Sequence, residues 1–462
     1  MKIVMKFGGT SIGNGEKIKH VSSLLKSYFD FGHKVVVVTS ALEGVTDSLL
    51  ETSNACLAGK FSAIPEFIEK IRKKHIDAAN ISIKDPEILG EVIGHLNGGL
   101  DELEKIMLGI CYLGELTPRS KDNISSFGER LAAPVISGAL RSAGVPSTFY
   151  TGGDAGIVTT SVYGNARPLL KSYENINRIL SPGLENSVQI VTGFIGVNES
   201  GNITTLGRSG SDYSASIIGV GIKADEIWLW KEVDGIMTAN PKIVKSAKTL
   251  KFISYKEAME LASLGAEVLH PRTIEPAMQY NIPVRVKSTF KPDFDGTLVV
   301  AEDNKFKNVV KSISTISKIS LVNVSSVEMV GTSGHIGKLF TALAENNISV
   351  RLVSQGSESS ISFIINDVDK IKALNAIESE FGGNINIEYR NNINVVAVVG
   401  AGMAGTPGVA RRVFTALGKQ NINIIMISQG SSEYNISCVV DSSDTAKAVG
   451  ALHSEFELDK IE

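Results

Sequence analysis

Two glycine-rich turns, each predicted to join a strand to a helix, carry residue types suited to phosphate chemistry. The first, residues 6–11, reads Lys-Phe-Gly-Gly-Thr-Ser, so Lys6 brings a full positive charge beside Gly8 and Gly9. Consecutive glycines let backbone N–H groups approach an anion, and the N-terminus of the following helix adds partial positive charge. The turn lacks the Walker A pattern and is a weak signal alone, because glycine pairs also follow ordinary strands.

A second such turn, Gly-Arg-Ser-Gly-Ser-Asp, occupies residues 207–212, after a predicted strand at 203–206 and before an apolar helix predicted at 213–219. Arg208 can bind a carboxylate through its planar fork, and Ser211 can cap the helix or donate a hydrogen bond. Asp212 can cap the helix, hold a lysine or hold a magnesium ion. Two such turns in one sheet favour phosphate chemistry over coincidence.

The elements around these turns predict an α/β domain over residues 1–300. Strands alternate with helices, which indicates a largely parallel sheet sandwiched by helices. The predicted strands are 3–7, 35–39, 188–192, 226–230 and 284–286. Because ligands bind beyond the carboxyl ends of such strands, the turns should converge at one edge. A polar helical stretch at 65–116 interrupts the alternation and is interpreted as an insertion or a lid.

An internal repeat occupies the C-terminal part of the chain. Residues 329–334, Met-Val-Gly-Thr-Ser-Gly, recur 74 positions later as Met-Ala-Gly-Thr-Pro-Gly at 403–408. Phe-Thr-Ala-Leu at 340–343 and Ser-Gln-Gly-Ser at 354–357 recur in the same register. So many matches at one offset indicate duplication of a unit of about 70 residues.

Each copy is predicted to be an α+β domain with the order βαββαβ, the first at 316–390 and the second at 391–462. In the first copy, the strand after the first helix is predicted at 348–353. The second copy ends one strand short, and the unassigned apolar run at 308–315 could complete it. The first unit is therefore interpreted as inserted into the second.

Six motifs, in order along the chain, resemble those of aspartate kinases with the amino-acid-kinase fold, and the repeat resembles the paired ACT domains that follow that fold. The motifs are residues 6–11, Val-Thr-Ser-Ala at 38–41, Ser-Phe-Gly-Glu-Arg at 126–130, Thr-Gly-Phe-Ile-Gly at 192–196, residues 207–212, and Leu-His-Pro-Arg-Thr at 269–273. The resemblance spans essentially the whole chain, and the combination is far more specific than any single motif.

The resemblance implies transfer of the γ-phosphoryl group of ATP to the β-carboxylate of L-aspartate. The product would be 4-phospho-L-aspartate, the first step towards lysine, threonine and methionine. Mg²⁺ would come with the nucleotide, and no protein-held metal site is expected. The β-carboxylate, with an ordinary pKa of about 3.9, is ionised at pH 7 and needs no general base.

The family's roles, carried over residue by residue, give three sets. The catalytic residues are Lys6 and Asp212. The substrate-binding residues are Ser40, Glu129, Phe194, Arg208 and Ser211, with Glu129 facing the ammonium and Arg208 the α-carboxylate of aspartate. The nucleotide-binding residues are Lys6, Gly8, Gly9, Lys231, Asp234 and Lys242.

The segment at 230–242 departs from a common family pattern, because Lys231 stands where many relatives have threonine. A lysine common to the family is Glu267 here. The two changes indicate either a relocated phosphate-binding charge or a Lys231–Glu267 ion pair.

The repeat is predicted to bind an amino-acid effector, threonine first and lysine second, with feedback control of the kinase. ACT-like units bind amino acids where a glycine-rich turn meets a helix N-terminus. The predicted effector-binding residues are Met329, Gly331, Ser333, Gly334, Gln355, Met403, Gly405 and Gln429. The alternative for the two glutamines is that they pair across the interface between the copies.

Composition excludes several other classes of protein. The net charge of −3 without a basic run argues against nucleic acid as a partner. No apolar run approaches the roughly 20 residues that cross a bilayer. Three distant cysteines fit a reducing, cytoplasmic location.

A homodimer or larger assembly is expected. Two alternatives stay open: a kinase for another acid, such as glutamate or N-acetylglutamate, and a catalytically silent amino-acid sensor.

Overall fold

The computed structural model describes residues 1–265, 268–301, 308–326, 334–382 and 385–461. The chain forms two compact units. The first comprises Met1–Ile236, Lys251–Tyr255 and Val268–Asp303, and the second comprises Met237–Leu250, Lys256–Glu267 and Asn304–Glu462.

An eight-stranded sheet forms the centre of the first unit. Its strands are β1 (Lys2–Phe7), β2 (Lys34–Thr39), β3 (Ser147–Tyr150), β5 (Val188–Thr192), β8 (Glu226–Lys231), β9 (Phe252–Ser254), β10 (Val284–Ser288) and β11 (Thr297–Val300). They lie in the order β3-β5-β2-β1-β8-β10-β11-β9. All neighbouring pairs are parallel except β10 and β11. Every predicted strand of this sheet is present, and β1 and β2 are almost wholly buried, as a two-sided parallel sheet requires.

A small sheet and the helices complete the first unit's elements. The small sheet contains β4 (Val158–Thr159), β6 (Ile195–Asn198) and β7 (Ile203–Thr205). The helices are α1 (Gly15–Asp30), α2 (Val45–Leu57), α3 (Ala63–Ser82), α4 (Pro86–Leu113), α5 (Pro118–Ser142), α6 (Lys171–Leu180), α7 (Gly210–Ile222) and α9 (Pro271–Gln279). Helix α8 (Tyr255–Ser263) begins in the first unit and continues in the second.

The interpretation of residues 65–116 as a lid is wrong. Helices α3 and α4 bury Ile71, Leu96, Leu100 and Leu103 in the same hydrophobic core that contains the strands of the sheet. The stretch looks polar in sequence because each helix carries its charges on the outward face and its apolar residues at helical spacing on the inner face.

Helix α5 matters most for the site because it is buried along most of its length. Its start is fixed by Thr117, whose hydroxyl accepts the backbone N–H of Ser120, and by Pro118 in the first turn. The buried positions include polar side chains, among them Asp122 and Glu129. Burial of carboxylates on a core helix indicates that they serve a site.

The second unit contains a six-stranded antiparallel sheet. Its strands are β12 (Ser312–Ser325), β13 (Leu352–Ser357), β14 (Ser360–Asn366), β15 (Asn386–Val399), β16 (Met426–Ser428) and β17 (Asn435–Asp441), in the order β13-β14-β12-β15-β17-β16. The helices are α10 (His335–Glu345), α11 (Lys370–Phe381), α12 (Val409–Lys419) and α13 (Thr445–Glu455). Two separate hydrophobic cores lie under this sheet, one for each repeat.

The long strands β12 and β15 run through both repeats. Residues 312–316 of β12 pair with 395–399 of β15, and residues 319–325 pair with 386–393. The strand predicted at 348–353 begins only at Leu352, because Asn347 takes a left-handed backbone and the Ile348 N–H closes the end of α10. The predicted fold class is confirmed: a mostly parallel sheet with helices, followed by two ACT-type βαββαβ repeats.

In the part of the chain that the structure describes, no helix combines the length and the apolarity that a membrane span needs.

Candidate active site

A cavity of about 1110 Å³ lies at the carboxyl edge of the eight-stranded sheet. Turns that follow β1, β2, β5 and β7 reach it, together with α5 and the first turn of α7. The predicted residues that line it are Lys6, Gly9, Ser40, Glu129, Phe194, Arg208, Ser211, Asp212 and Lys231. The structure therefore brings together the whole predicted substrate-binding set and three of the six predicted nucleotide-binding residues.

Close approach of the turns explains two of the glycines. A Cβ atom on Gly9 would lie 2.9 Å from the carbonyl oxygen of Ala41, so the turns after β1 and β2 pack directly against each other. A Cβ atom on Gly193 would lie 2.6 Å from the Cβ of Ser211. Only glycine permits such contacts without movement of the backbone, so both turns depend on it.

Asp212 lies between two lysines at the start of α7. Its Oδ1 is 2.6 Å from Lys6 Nζ and its Oδ2 is 2.7 Å from Lys231 Nζ. Burial alone would raise the pKa of the Asp212 carboxyl, but the ammonium groups of Lys231 and Lys6 hold this pKa well below its ordinary value. Burial lowers the pKa of Lys6, and the Asp212 carboxylate opposes that change. Two ammonium groups thus contact one buried carboxylate beside the glycine-rich turn at residues 6–11.

Glu129 provides a second buried carboxyl group. Its side chain is 3% exposed, and Oε2 has no hydrogen-bond partner among the described residues. Burial raises the pKa of Glu129 to about 8, against the opposing effect of a hydrogen bond from the Ala41 N–H. An unpartnered buried oxygen that faces a cavity suits a cationic ligand such as a primary ammonium group.

Arg208 is exposed at the cavity, and no ion pair involving it is present among the residues that the structure describes. It lies between Gly207 and Ser209, which both have positive φ angles, +78° and +56°. Such a backbone costs free energy at Ser209 and points to a constrained turn. The guanidinium group is therefore presented to the cavity with its donors available.

Phe194 also has a positive φ, +67°, and its N–H donates to Ser214 Oγ at 2.9 Å. A Cβ atom on Gly210 would lie 2.6 Å from the Phe194 ring, so this ring packs against the start of α7. Ser40 follows β2 and donates its N–H to the carbonyl of Phe7. These contacts hold the walls of the cavity in place.

Sequence reasoning missed several residues that line the same cavity, chiefly Lys121, Asp122, Tyr163, Gly164 and Thr205. They come from three separate segments, none of which contains a glycine-rich turn motif. One signal was available for Asp122, because it lies seven residues before Glu129 and so shares its face of α5.

The remaining nucleotide-binding predictions, Gly8, Asp234 and Lys242, fall outside this cavity's lining. Asp234 forms an ion pair with Lys291, with 2.6 Å between Oδ2 and Nζ. Lys242 is exposed and belongs to the second unit. Glu267 lies outside the described residues, so the proposed Lys231–Glu267 pair stays a prediction. Lys231 has Asp212 as a partner in any case.

No group of three His, Cys, Asp or Glu side chains among the described residues is arranged to hold a metal ion. Both oxygens of Asp212 contact ammonium groups.

The structure describes only some of the predicted effector-binding residues. Met329, Gly331 and Ser333 lie outside the described residues, whereas Gly334 caps α10 with a φ of +97°. Gln355 donates to the Ser357 carbonyl at 3.3 Å, a contact within its own strand.

In the second copy, Gln429 is exposed and the Met403 side chain is 4% exposed and packs in the core. The Gly405 N–H already donates to Glu433 Oε2 at 2.6 Å. The equivalent position of the first copy is Ser359, which has no carboxylate to offer. The two copies therefore differ in sequence at the residue that contacts this turn in the second copy.

Comparisons with known proteins agree with this architecture. A model described as the amino acid kinase family matches residues 1–288, and one described as the ACT domain matches residues 322–381 and 396–456. Aspartokinase 1, chloroplastic, of Arabidopsis thaliana is 33% identical over 467 residues, which cover 98% of this chain and 80% of that protein.

The bifunctional aspartokinase/homoserine dehydrogenase 1, chloroplastic, of the same plant is 34% identical, covering 99% of this chain and 51% of that protein. The chain thus spans about half the length of the bifunctional relatives that it matches. Among solved structures, E. coli aspartokinase III with lysine and aspartate (T-state) has a TM-score of 0.82 at 28% identity, covering 98% of this chain and 99% of that one. The same enzyme with aspartate and ADP (R-state) has a TM-score of 0.81 at 27% identity, with the same coverage.

Proposed function

The chain belongs to the aspartokinases of the amino acid kinase family, and we propose that it phosphorylates the β-carboxylate of L-aspartate with ATP. The observation that carries the proposal is the content of one cavity. Lys6, Asp212 and Lys231 form a buried charge cluster there, and Glu129 and Arg208 line the same space.

The two ends of aspartate would be held by opposite charges. The Glu129 carboxyl, with its unpartnered Oε2, would bind the α-ammonium group. The Arg208 guanidinium would bind the α-carboxylate through parallel N–H donors. With both ends held, the β-carboxylate is left to face the nucleotide. Ser40, Phe194 and Ser211 would complete the pocket around the substrate.

The phosphates of ATP would lie against the turn that contains Gly8 and Gly9. Lys6 and Lys231, both fixed by Asp212, would supply positive charge to the phosphate oxygens. The E. coli relative whose structure includes aspartate and ADP supports nucleotide binding by this chain. Nucleotide contacts at Asp234 and Lys242 stay predictions.

In the transfer step, an oxygen of the β-carboxylate attacks the γ-phosphorus of ATP. The bond from that phosphorus to the β,γ-bridging oxygen breaks, and ADP leaves with the electron pair. Lys6 and Lys231 would stabilise the negative charge on the phosphoryl group in the transition state. No covalent enzyme intermediate is needed. Mg²⁺ bound to the nucleotide would neutralise further phosphate charge.

The ACT repeats would bind an amino-acid end product, and this binding would reduce kinase activity. Threonine is the first candidate effector and lysine the second. The E. coli relative solved with lysine and aspartate supports an amino-acid effector in this family. Feedback requires the effector to bind a less active arrangement more tightly, so aspartate and effector affinities must be reciprocally coupled. A role at the first step towards lysine, threonine and methionine, a homo-oligomer and a cytoplasmic location stay predictions, and the two plant relatives are named as chloroplastic proteins.

A coupled assay of ADP release tests the proposal with aspartate, glutamate and N-acetylglutamate as acceptors. We expect release with aspartate and a rate near background with the other two. Preference for glutamate or N-acetylglutamate would replace the substrate. A folded, effector-free preparation without turnover on any acceptor would favour a silent sensor.

A further inference from the structure

We infer that Asp122 is a positioning residue that sets the geometry of the aspartate pocket. This inference rests on the function proposed above. Asp122 lies on α5 seven residues before Glu129, which places the two carboxyl groups on one face and about 10 Å apart along the helix axis. Both line the cavity, but their surroundings differ.

The Asp122 carboxylate is fully engaged by the protein. Oδ2 accepts the backbone N–H of Gly164 at 2.9 Å and of Thr205 at 2.8 Å, and Oδ1 accepts the Thr205 hydroxyl at 2.8 Å. The side chain is 3% exposed and has no ion-pair partner among the described residues. Glu129, by contrast, keeps an oxygen without a partner. Asp122 therefore organises the protein, whereas Glu129 is available to a ligand.

Each group that Asp122 holds leads to a different wall of the pocket. Thr205 ends β7 and precedes Arg208 by three residues. Gly164 belongs to a loop that also presents Tyr163 to the cavity. Helix α5 itself carries Glu129. One carboxylate thus fixes the relative positions of the proposed ammonium site and the proposed α-carboxylate site.

Other contacts make the loop and the Arg208 turn move together. A Cβ atom on Gly207 would lie 3.0 Å from the Gly164 carbonyl oxygen, so the two backbones are in close contact. The Ala166 N–H donates to the Thr205 carbonyl at 2.9 Å. Arg272 donates to the side chain of Asn165 and to the Leu206 carbonyl, from the far side of the turn. A shift at Gly164 is therefore passed to Arg208.

The substitution Asp122→Asn separates positioning from bulk stability. An amide has the same shape but carries no charge and has only one acceptor oxygen, so its NH₂ group cannot accept the Thr205 hydroxyl or a backbone N–H. We expect the KM for aspartate to rise about tenfold, because small displacements of Glu129 and Arg208 relative to each other weaken binding of a ligand that contacts both. The KM for ATP should change less than about twofold, since the lysine cluster and the β1 turn lie outside this network.

Two companion variants sharpen the test. Thr205→Val removes only the hydroxyl bond and should raise the KM for aspartate in the same direction by a smaller factor. Asp85→Asn is the matched control: Asp85 also accepts two backbone N–H groups, those of Glu87 and Ile88, but lies outside the cavity lining. It should lower Tm without changing either KM.

The experiment measures both KM values, Tm and hydrogen–deuterium exchange of the full chain and its three variants. Faster exchange at residues 163–166 and 205–208 in Asp122→Asn, with a selective rise in the KM for aspartate, is the expected result. If Asp122→Asn lowers Tm but leaves the KM for aspartate unchanged, as is expected of Asp85→Asn, the inference is wrong. If Asp122→Asn does not fold, an unchanged KM in Thr205→Val overturns it. If the unmodified chain does not turn over aspartate, the proposed function fails, and unchanged exchange in the two segments still refutes the network separately.

Discussion

The affinity for aspartate should depend steeply on pH through Glu129. Burial raises the pKa of this carboxyl to about 8, so most of it is protonated in the free protein at neutral pH. Only the ionised form attracts the ammonium group of aspartate, so binding must remove a proton first. The KM for aspartate is therefore expected to fall as pH rises from 6.5 to 8.5.

The size of the effect follows from the ionised fraction. With a pKa of about 8, roughly 3% of Glu129 is ionised at pH 6.5 and roughly 75% at pH 8.5. If only that fraction binds aspartate, the KM should fall about 25-fold across the range. Glu129→Gln keeps the shape but cannot ionise, so its KM should be high and nearly independent of pH.

Initial rates of ADP release, at saturating ATP and constant ionic strength, give the KM at each pH. Glu91→Gln is a control, because Glu91 forms an ion pair with Arg141 away from the main cavity. This variant should keep the slope of the unmodified chain. A KM that is flat with pH in the unmodified chain, or a slope that survives in Glu129→Gln, refutes the assigned role.

The same group gives a check on stability that needs no substrate. A carboxyl whose pKa is raised in the folded state stabilises the fold fully below its unfolded pKa, and this contribution is lost as pH rises through the folded pKa. For Glu129 that window runs from about 4.5 to about 8. The Tm of the unmodified chain should therefore fall relative to Glu129→Gln between pH 5 and 8, and parallel curves would argue against the raised pKa.

Further predictions concern the other charged residues and the effector site. Arg208→Ala should mainly raise the KM for aspartate and Lys6→Ala should mainly lower kcat, each by at least about tenfold; unchanged aspartate saturation in Arg208→Ala would contradict its role. If Lys231 and Glu267 are coupled, Glu267→Lys should raise the KM for ATP and adding Lys231→Thr should partly restore it, whereas strictly additive effects would rule out coupling. Threonine should inhibit more strongly than lysine or methionine in a titration of activity, and inhibition by lysine alone would contradict this. Glu433→Ser frees the Gly405 N–H, so it should raise the number of effector molecules bound per chain in calorimetry. An unchanged number would contradict this second expectation.

Local sequence patterns predicted the elements that surround the site. The apolar runs at 35–39 and 188–192 form buried parallel strands, since such runs have few other stable places in an α/β fold. The turn at 207–212 opens α7, and Asp212 holds lysines, one of the three roles that its sequence context allowed. These features depend on neighbours in sequence or on the common edge of a parallel sheet.

The interactions that the sequence did not reveal join distant residues. Asp122 and Thr205 are 83 positions apart, and no periodicity links them. The sequence allowed Asp212 to hold a lysine but did not say which one; the structure shows Lys6 and Lys231, and the Lys231–Glu267 pair stays a prediction. The helices α3 and α4 were misread because outward charges concealed their buried faces. Such pairings are decided by packing in three dimensions, which local patterns do not encode.

The most direct test of the central claim identifies the product. Incubation with ATP, Mg²⁺, L-aspartate and hydroxylamine should convert an acyl phosphate into a hydroxamate, which mass spectrometry and comparison with standards assign to one carboxyl group. We expect aspartate β-hydroxamate in a 1:1 ratio with ADP, and formation of both at least about tenfold slower in Lys6→Ala. ADP release without any aspartate hydroxamate, or formation of the α-hydroxamate, would contradict it.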